Sequence, residues 1–227
     1  MKKTKLMRAA LLLLVLTLIT SCFVGGTFAK YVTEGNSTGT AHVAKWGVNV
    51  TATGETFAKE YATDTKNVVN VIAKSVIGAD KVVAPGTSGS MAAVKLSGKP
   101  EVAVRVNYAA TFDVSEWKIA GTGATSEFYC PLQITVGGTT IDGTGFTNAA
   151  AFENAVKAEI SKYSKNYEAG TDLSDATKVT VPSVSWSWPF SIDDSKDAKD
   201  TALGNLAANG KAPAVTLTIT TTVTQID

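Results

Sequence analysis

Val102-Ala103-Val104-Arg105-Val106-Asn107-Tyr108-Ala109-Ala110-Thr111-Phe112-Asp113 decides the fold class. In an extended chain Val102, Val104, Val106, Tyr108, Ala110 and Phe112 fall on one side, and Arg105, Asn107, Thr111 and Asp113 on the other. Alternation with period two marks a half-buried strand, because successive side chains of a strand point to opposite faces. The C-terminal stretch repeats the pattern: Val215, Leu217, Ile219, Thr221 and Val223 alternate with Thr216, Thr218, Thr220 and Thr222. Strands of this kind suit antiparallel sheets with one wet face.

Shorter alternations lie around these two. Trp46, Val48 and Val50 form one, Ala92, Val94 and Leu96 a second, and Cys130, Leu132, Ile134 and Val136 a third. Turn residues separate them. Pro85-Gly86 precedes one strand, Gly98-Lys99-Pro100 reads as a hairpin turn between two others, and Gly137-Gly138 followed by Asp142-Gly143 marks a hairpin or loop. Asn209-Gly210 precedes the last strand. One segment departs from period two. Between Thr147 and Lys165, Phe152, Val156, Ile160 and Tyr163 recur at helical spacing, with Thr147 or Asn148 available as cap and Glu153 near the first turn. Residues 191–211 are polar and rich in Asp and Lys, and read as a surface loop or a short helix. The expected fold is mainly β: an antiparallel jelly roll or β-sandwich with one amphipathic helix packed outside.

Composition agrees. Of the 227 residues 44% are apolar and 18% charged, and 31 are threonine, which favours strands over helix interiors. A net charge of +1 speaks against a polycationic nucleic-acid binder. A single histidine excludes a His-rich metal site.

The first thirty residues read as an address. Lys2, Lys3, Lys5 and Arg8 precede an apolar run from Ala9 to Val24, and Gly25-Gly26-Thr27-Phe28-Ala29 ends it with small residues at the −3 and −1 positions. This is the pattern of a secretory signal peptide, residues 1–29, cut between Ala29 and Lys30. As a retained anchor, sixteen helical residues would reach only about 24 Å, against a hydrocarbon core of roughly 30 Å. Ile19-Thr20-Ser21-Cys22 also reads as a lipobox, with Cys22 as the lipidated first residue. Without residues 1–29 the chain keeps 17 basic against 20 acidic residues, net −3, and one cysteine, Cys130. Residues 30–227 then form a single domain held by its core rather than by a disulfide. Cys130, in an apolar alternation, reads as a buried small hydrophobe.

Catalytic equipment is sparse. His-Glu-x-x-His, Gly-x-Ser-x-Gly and Walker patterns are absent from the sequence. His42 is the one imidazole a triad could use, and an exposed strand residue is the plainer reading. Asp193, Asp194, Asp197 and Asp200 could hold calcium, but Lys196 and Lys199 are interleaved among them and the Asp-x-Asp-x-Asp-Gly spacing of an EF-hand loop is missing. Trp186 and Trp188 share one face of an extended Ser185-Trp186-Ser187-Trp188-Pro189-Phe190. They are either a surface for stacking a glycan or two large rings of the core. No cofactor, metal or nucleic-acid partner is expected, and the membrane is met only through the leader.

Four stretches together resemble the TasA/camelysin family of exported Gram-positive surface and biofilm-matrix proteins. Val24-Gly25-Gly26-Thr27-Phe28-Ala29-Lys30-Tyr31 is similar to leaders cut by the dedicated SipW signal peptidase. Ala44-Lys45-Trp46-Gly47-Val48 resembles the family's first core strand, Val83-Ala84-Pro85-Gly86-Thr87 its Pro-Gly turn, and Leu217-Thr218-Ile219-Thr220-Thr221-Thr222-Val223 its closing strand. The resemblance implies an extracellular, non-enzymatic jelly roll that polymerises with itself or with related matrix subunits by donor-strand exchange. The mature N-terminus, residues 30–40 beginning Lys30, Tyr31, Val32, Thr33 and Glu34, would be the donor. That segment has too few apolar side chains to fold upon itself, and an extended segment can pair with a neighbour's open strand edge. The casein-cleaving metalloprotease activity described for the camelysin branch does not carry over to a chain with one histidine and no zincin motif.

Overall fold

The computed structural model describes residues 42–52, 56–62, 69–76, 80–91, 94–121, 125–190 and 194–226. The leader, the Ala29–Lys30 junction and the expected donor residues Lys30, Tyr31, Val32, Thr33 and Glu34 lie outside these. Contacts divide the chain into two units, Met1–Ala44 and Lys45–Asp227. Of the first, residues 42–44 are described. They have no regular secondary structure, and His42 and Val43 are exposed. The elements below all belong to the second.

The second unit is mainly β and antiparallel. In chain order the strands are β1 (Asn49–Ala52), β2 (Glu60–Ala62), β3 (Val71–Lys74), β4 (Ser88–Ser90), β5 (Val94–Ser97), β6 (Val104–Asp113), β7 (Lys118–Ala120), β8 (Ser126–Phe128), β9 (Gln133–Val136) and β10 (Thr139–Asp142). Helix α1 (Ala149–Ser161), β11 (Lys165–Tyr167), β12 (Val184–Ser187), helix α2 (Asp194–Ala208) and β13 (Thr216–Gln225) complete it. A four-stranded sheet has the order β10-β9-β12-β4, and a three-stranded sheet the order β11-β6-β13. The pairs β1-β5, β2-β3 and β7-β8 stand beside them.

The alternation in the sequence becomes the core. Val104, Val106, Tyr108 and Phe112 of β6 are buried, while Arg105, Ala109, Thr111 and Asp113 face water. Ile134 and Val136 of β9 and Val184 and Trp186 of β12 join the same cluster from the other sheet. Helix α1 packs along β6 and reaches β9 and β10. Its spacing puts Phe152, Val156 and Ile160 wholly out of water. The Phe152 ring meets Phe112 edge-on at 5.2 Å and Phe146 at 5.3 Å. Asn148 is the N-cap, its Oδ1 accepting from the Ala151 N–H at 2.9 Å. Glu153 does more than sit near the first turn: its carboxylate accepts the Val114 N–H at 3.0 Å and ties the helix to the end of β6.

Gly137-Gly138 makes the expected hairpin. Thr139 pairs with Val136, and the two glycines have φ of +54° and +97°, the left-handed pair that a two-residue type I′ turn requires. A Cβ on Gly137 would stand 1.5 Å from the Tyr163 hydroxyl, so any side chain there would have to displace that phenol.

Three expectations need correction. Gly98-Lys99-Pro100 is not a hairpin turn: β5 pairs with β1, and β6 pairs with β11 and β13. The carbonyls of Gly98 and Pro100 instead accept from Leu173 and Gly170, a distant loop. The first strand begins at Asn49, and Trp46 lies outside it, 37% exposed. A second helix, α2, runs for 15 residues where a loop or short helix was expected. It is stopped by Gly210 at φ +72°, with Lys211 N–H donating to the Leu206 carbonyl.

Candidate functional site

Strand β13 is ten residues long and, among the described residues, pairs only with β6. The ladder's phase says which of its main-chain groups are left over. The Ile226 N–H donates to the Ala103 carbonyl at 3.0 Å, one step beyond an uninterrupted register that ends at Gln225 opposite Val104. In an antiparallel ladder hydrogen-bonded pairs recur every second residue. Thr216, Thr218, Thr220, Thr222 and Thr224 therefore bond to β6, and the N–H and C=O groups of Leu217, Ile219, Thr221, Val223 and Gln225 point away from it. The far side of β6 confirms the phase, because the Tyr108 N–H turns toward the β11 side and donates to Ser164 Oγ at 2.9 Å.

The strand reads Thr-Leu-Thr-Ile-Thr-Thr-Thr-Val-Thr-Gln. It carries no charge, no proline and no register shift. Open edges are ordinarily blunted by lysine, proline or a bulge, because a row of unsatisfied main-chain groups templates another strand. Leu217 is buried, and Ile219, Thr221 and Val223 are half-buried along the core side of the edge. The Thr221 hydroxyl is buried with no hydrogen-bond partner among the described residues.

Trp186 and Trp188 do not form a surface. They are 2% and 5% exposed. The Trp186 ring lies 5.2 Å from Phe57 and 5.9 Å from Tyr61, and its Nε1 donates to the Thr56 carbonyl at 2.7 Å. Trp188 stands edge-on to Trp117 at 5.6 Å, and its Nε1 donates to Asp200 Oδ2 at 3.2 Å. Glycan stacking needs an open ring face, and these faces are occupied. One edge of Trp188, with Trp117 and Leu203, lines an apolar cleft of about 330 Å³.

The aspartates of the expected calcium cluster also separate. Asp193 lies outside the described residues, Asp197 is exposed, and Asp200 turns inward, its Oδ1 accepting from the Tyr129 hydroxyl at 2.7 Å. Among the described residues no group of three His, Cys, Asp or Glu side chains could hold a metal ion.

Cys130 is fully buried, as its alternation implied. Burial pushes its thiol up to about 12, and burial first, then the neighbouring Tyr167, pushes the Tyr108 phenol to about 12. Burial, followed by the Asp200 hydrogen bond, also raises Tyr129. All three are neutral when protonated and have raised folded pKa values. Their contribution to stability is therefore complete below the unfolded values of 9.0 and 10.0 and is lost as pH rises toward about 12. The melting temperature should be insensitive to these groups below pH 9 and fall steadily above it. Calorimetry over that range checks this; a melting temperature that stays level to pH 11 would contradict it.

No family model matches the chain, and neither a curated protein nor a solved structure matches it.

Proposed function

We propose that the chain is an exported structural subunit that builds extracellular fibres by strand donation, and that the edge of β13 accepts the donor. The observation that carries this reading is the ten-residue, uncharged, proline-free edge with five residues whose main-chain groups face outward. An added strand satisfies those groups and covers the half-buried Ile219 and Val223, which is how extended peptides add to sheets. Size agrees. Leu217 to Gln225 spans about 30 Å, and Lys30 to Thr40, if extended, reaches about 35 Å.

The donor in this reading is the segment freed when a signal peptidase of the SipW type cuts between Ala29 and Lys30. Tyr31 and Val32 supply its apolar contacts. Cleavage is then the assembly switch, because a leader still attached keeps the donor at the membrane. Donor and acceptor occupy different parts of one chain, so each contact is head-to-tail, the kind that yields filaments where its rotation does not close into a ring.

Electron microscopy and sedimentation of the mature chain at rising concentration test this. Filaments are expected from residues 30–227, and a folded monomer that does not elongate from the same chain lacking Lys30 to Gly39. Ordinary filaments from the shortened chain would refute strand donation.

A further inference from the structure

Beside the N-terminal half of α2, against the loop after β8 and the β9–β10 hairpin, lies a cleft of about 270 Å³ lined by Gln133, Asp142, Thr144, Phe190, Lys196 and Asp200. A second cleft of about 390 Å³ shares Tyr129, Thr144 and Lys196 with it, so the two adjoin as one groove.

The polar groups of this groove are held in place with capacity to spare. An ionised carboxylate accepts at about four positions. Asp142 uses three, taking the Thr144 N–H at 2.9 Å, the Thr144 hydroxyl at 2.8 Å and the Gln133 amide at 3.0 Å. Asp200 uses two, taking the Tyr129 hydroxyl and the Trp188 indole N–H. Among the described residues three acceptor positions remain on these two carboxylates, whose orientation those bonds fix. Lys196 is exposed and adds a donor. Phe190 is 76% exposed and leaves a ring face open to water at the lip.

We propose that this groove binds an oligosaccharide. A pyranose ring presents hydroxyls that donate to carboxylates and accept from an ammonium. Its C–H faces carry slight positive charge and lie against the negative face of an aromatic ring. An apolar wall with a few convergent polar groups is the usual make-up of such a site. An extended peptide would pair with the edge strand β10 rather than with β9, which is already paired on both sides by β10 and β12, so peptide binding is the competing outcome of the test. A divalent cation is opposed by the Lys196 ammonium.

An array of neutral and anionic oligosaccharides probed with the mature chain, followed by calorimetric titration of any that bind, tests the assignment. Capture of at least one oligosaccharide is expected. Phe190→Ala should weaken it about tenfold with an unchanged melting temperature, since the ring is mostly in water. Lys196→Gln should weaken it in the same direction, and Trp46→Ala, which removes an exposed ring elsewhere, should leave it intact. The proposal is overturned if no oligosaccharide is captured, if capture is indifferent to Phe190→Ala, or if only peptides bind. The groove is separate from β13, so a chain that binds sugar without forming filaments, or the reverse, tells this assignment from the fibre reading.

Discussion

Thr221→Pro is expected to abolish filament growth while the monomer stays folded. The main-chain groups of Thr221 sit at the middle of the outward-facing row, so the substitution deletes a donor that β6 does not use. Its pyrrolidine also projects where an incoming strand must lie. Proline is tolerated at an edge position whose N–H faces solvent. The hydroxyl it removes makes no hydrogen bond among the described residues, so little is lost inside the subunit. Thr220→Pro, one residue earlier, should behave in the opposite way. Residue 220 stands opposite Ala109 in a hydrogen-bonded pair, and losing that bond in the sheet interior costs on the order of 3 kcal/mol, the scale known for proline inside regular structure. The contrast is the measurement: by thermal melting Thr221→Pro should stay within a few degrees of the parent chain and Thr220→Pro should drop well below it, whereas by sedimentation Thr221→Pro stays monomeric at concentrations where the parent polymerises. Filaments from Thr221→Pro at the parental concentration would show that β13 is not the acceptor.

The elements that the sequence displays are those whose own residues hold enough information. β6 and β13 each show period two over ten residues, and α1 shows helical spacing through Phe152, Val156 and Ile160, so local pattern and tertiary burial coincide. Helix α2 is hidden because little of its anchorage is periodic. Leu203 is buried, with Ala202 and Leu206 half-buried beside it. The rest is polar tethering: Asp200 to Tyr129 and Trp188, and Lys199 to Glu127 at 2.6 Å. Those partners are as far as 72 residues away in sequence. Gly98-Lys99-Pro100 misleads for a related reason, since its hydrogen bonds go to the loop at residues 170–173. The edge position of β13 among the described strands is a property of strand order, which no single strand encodes. Its chemical signature, ten residues without charge or proline, was nevertheless in the sequence. Asp142 and Asp200 meet in one groove only after folding, and neither has a neighbour in sequence that announces the other.

Trp186→Ala should produce the largest loss of stability of any single change considered, and the reason lies in what the ring joins. Trp186 sits opposite Gly89 across the β12–β4 pair, and the indole covers that glycine closely enough that a Cβ there would lie 2.8 Å from Nε1. The same ring packs on Phe57 and Tyr61, and its N–H holds the Thr56 carbonyl. One side chain thus fastens the segment at residues 56–61 to the four-stranded sheet. Truncating a buried tryptophan to alanine removes about 3–5 kcal/mol, a large share of the roughly 5–15 kcal/mol that holds a domain together. Trp186→Phe separates packing from hydrogen bonding: it keeps an aromatic ring but leaves the Thr56 carbonyl without its donor, which costs about 1–3 kcal/mol. Urea midpoints should therefore fall in the order parent, Trp186→Phe, Trp186→Ala. An unchanged midpoint for Trp186→Ala would mean that the ring is dispensable to the core.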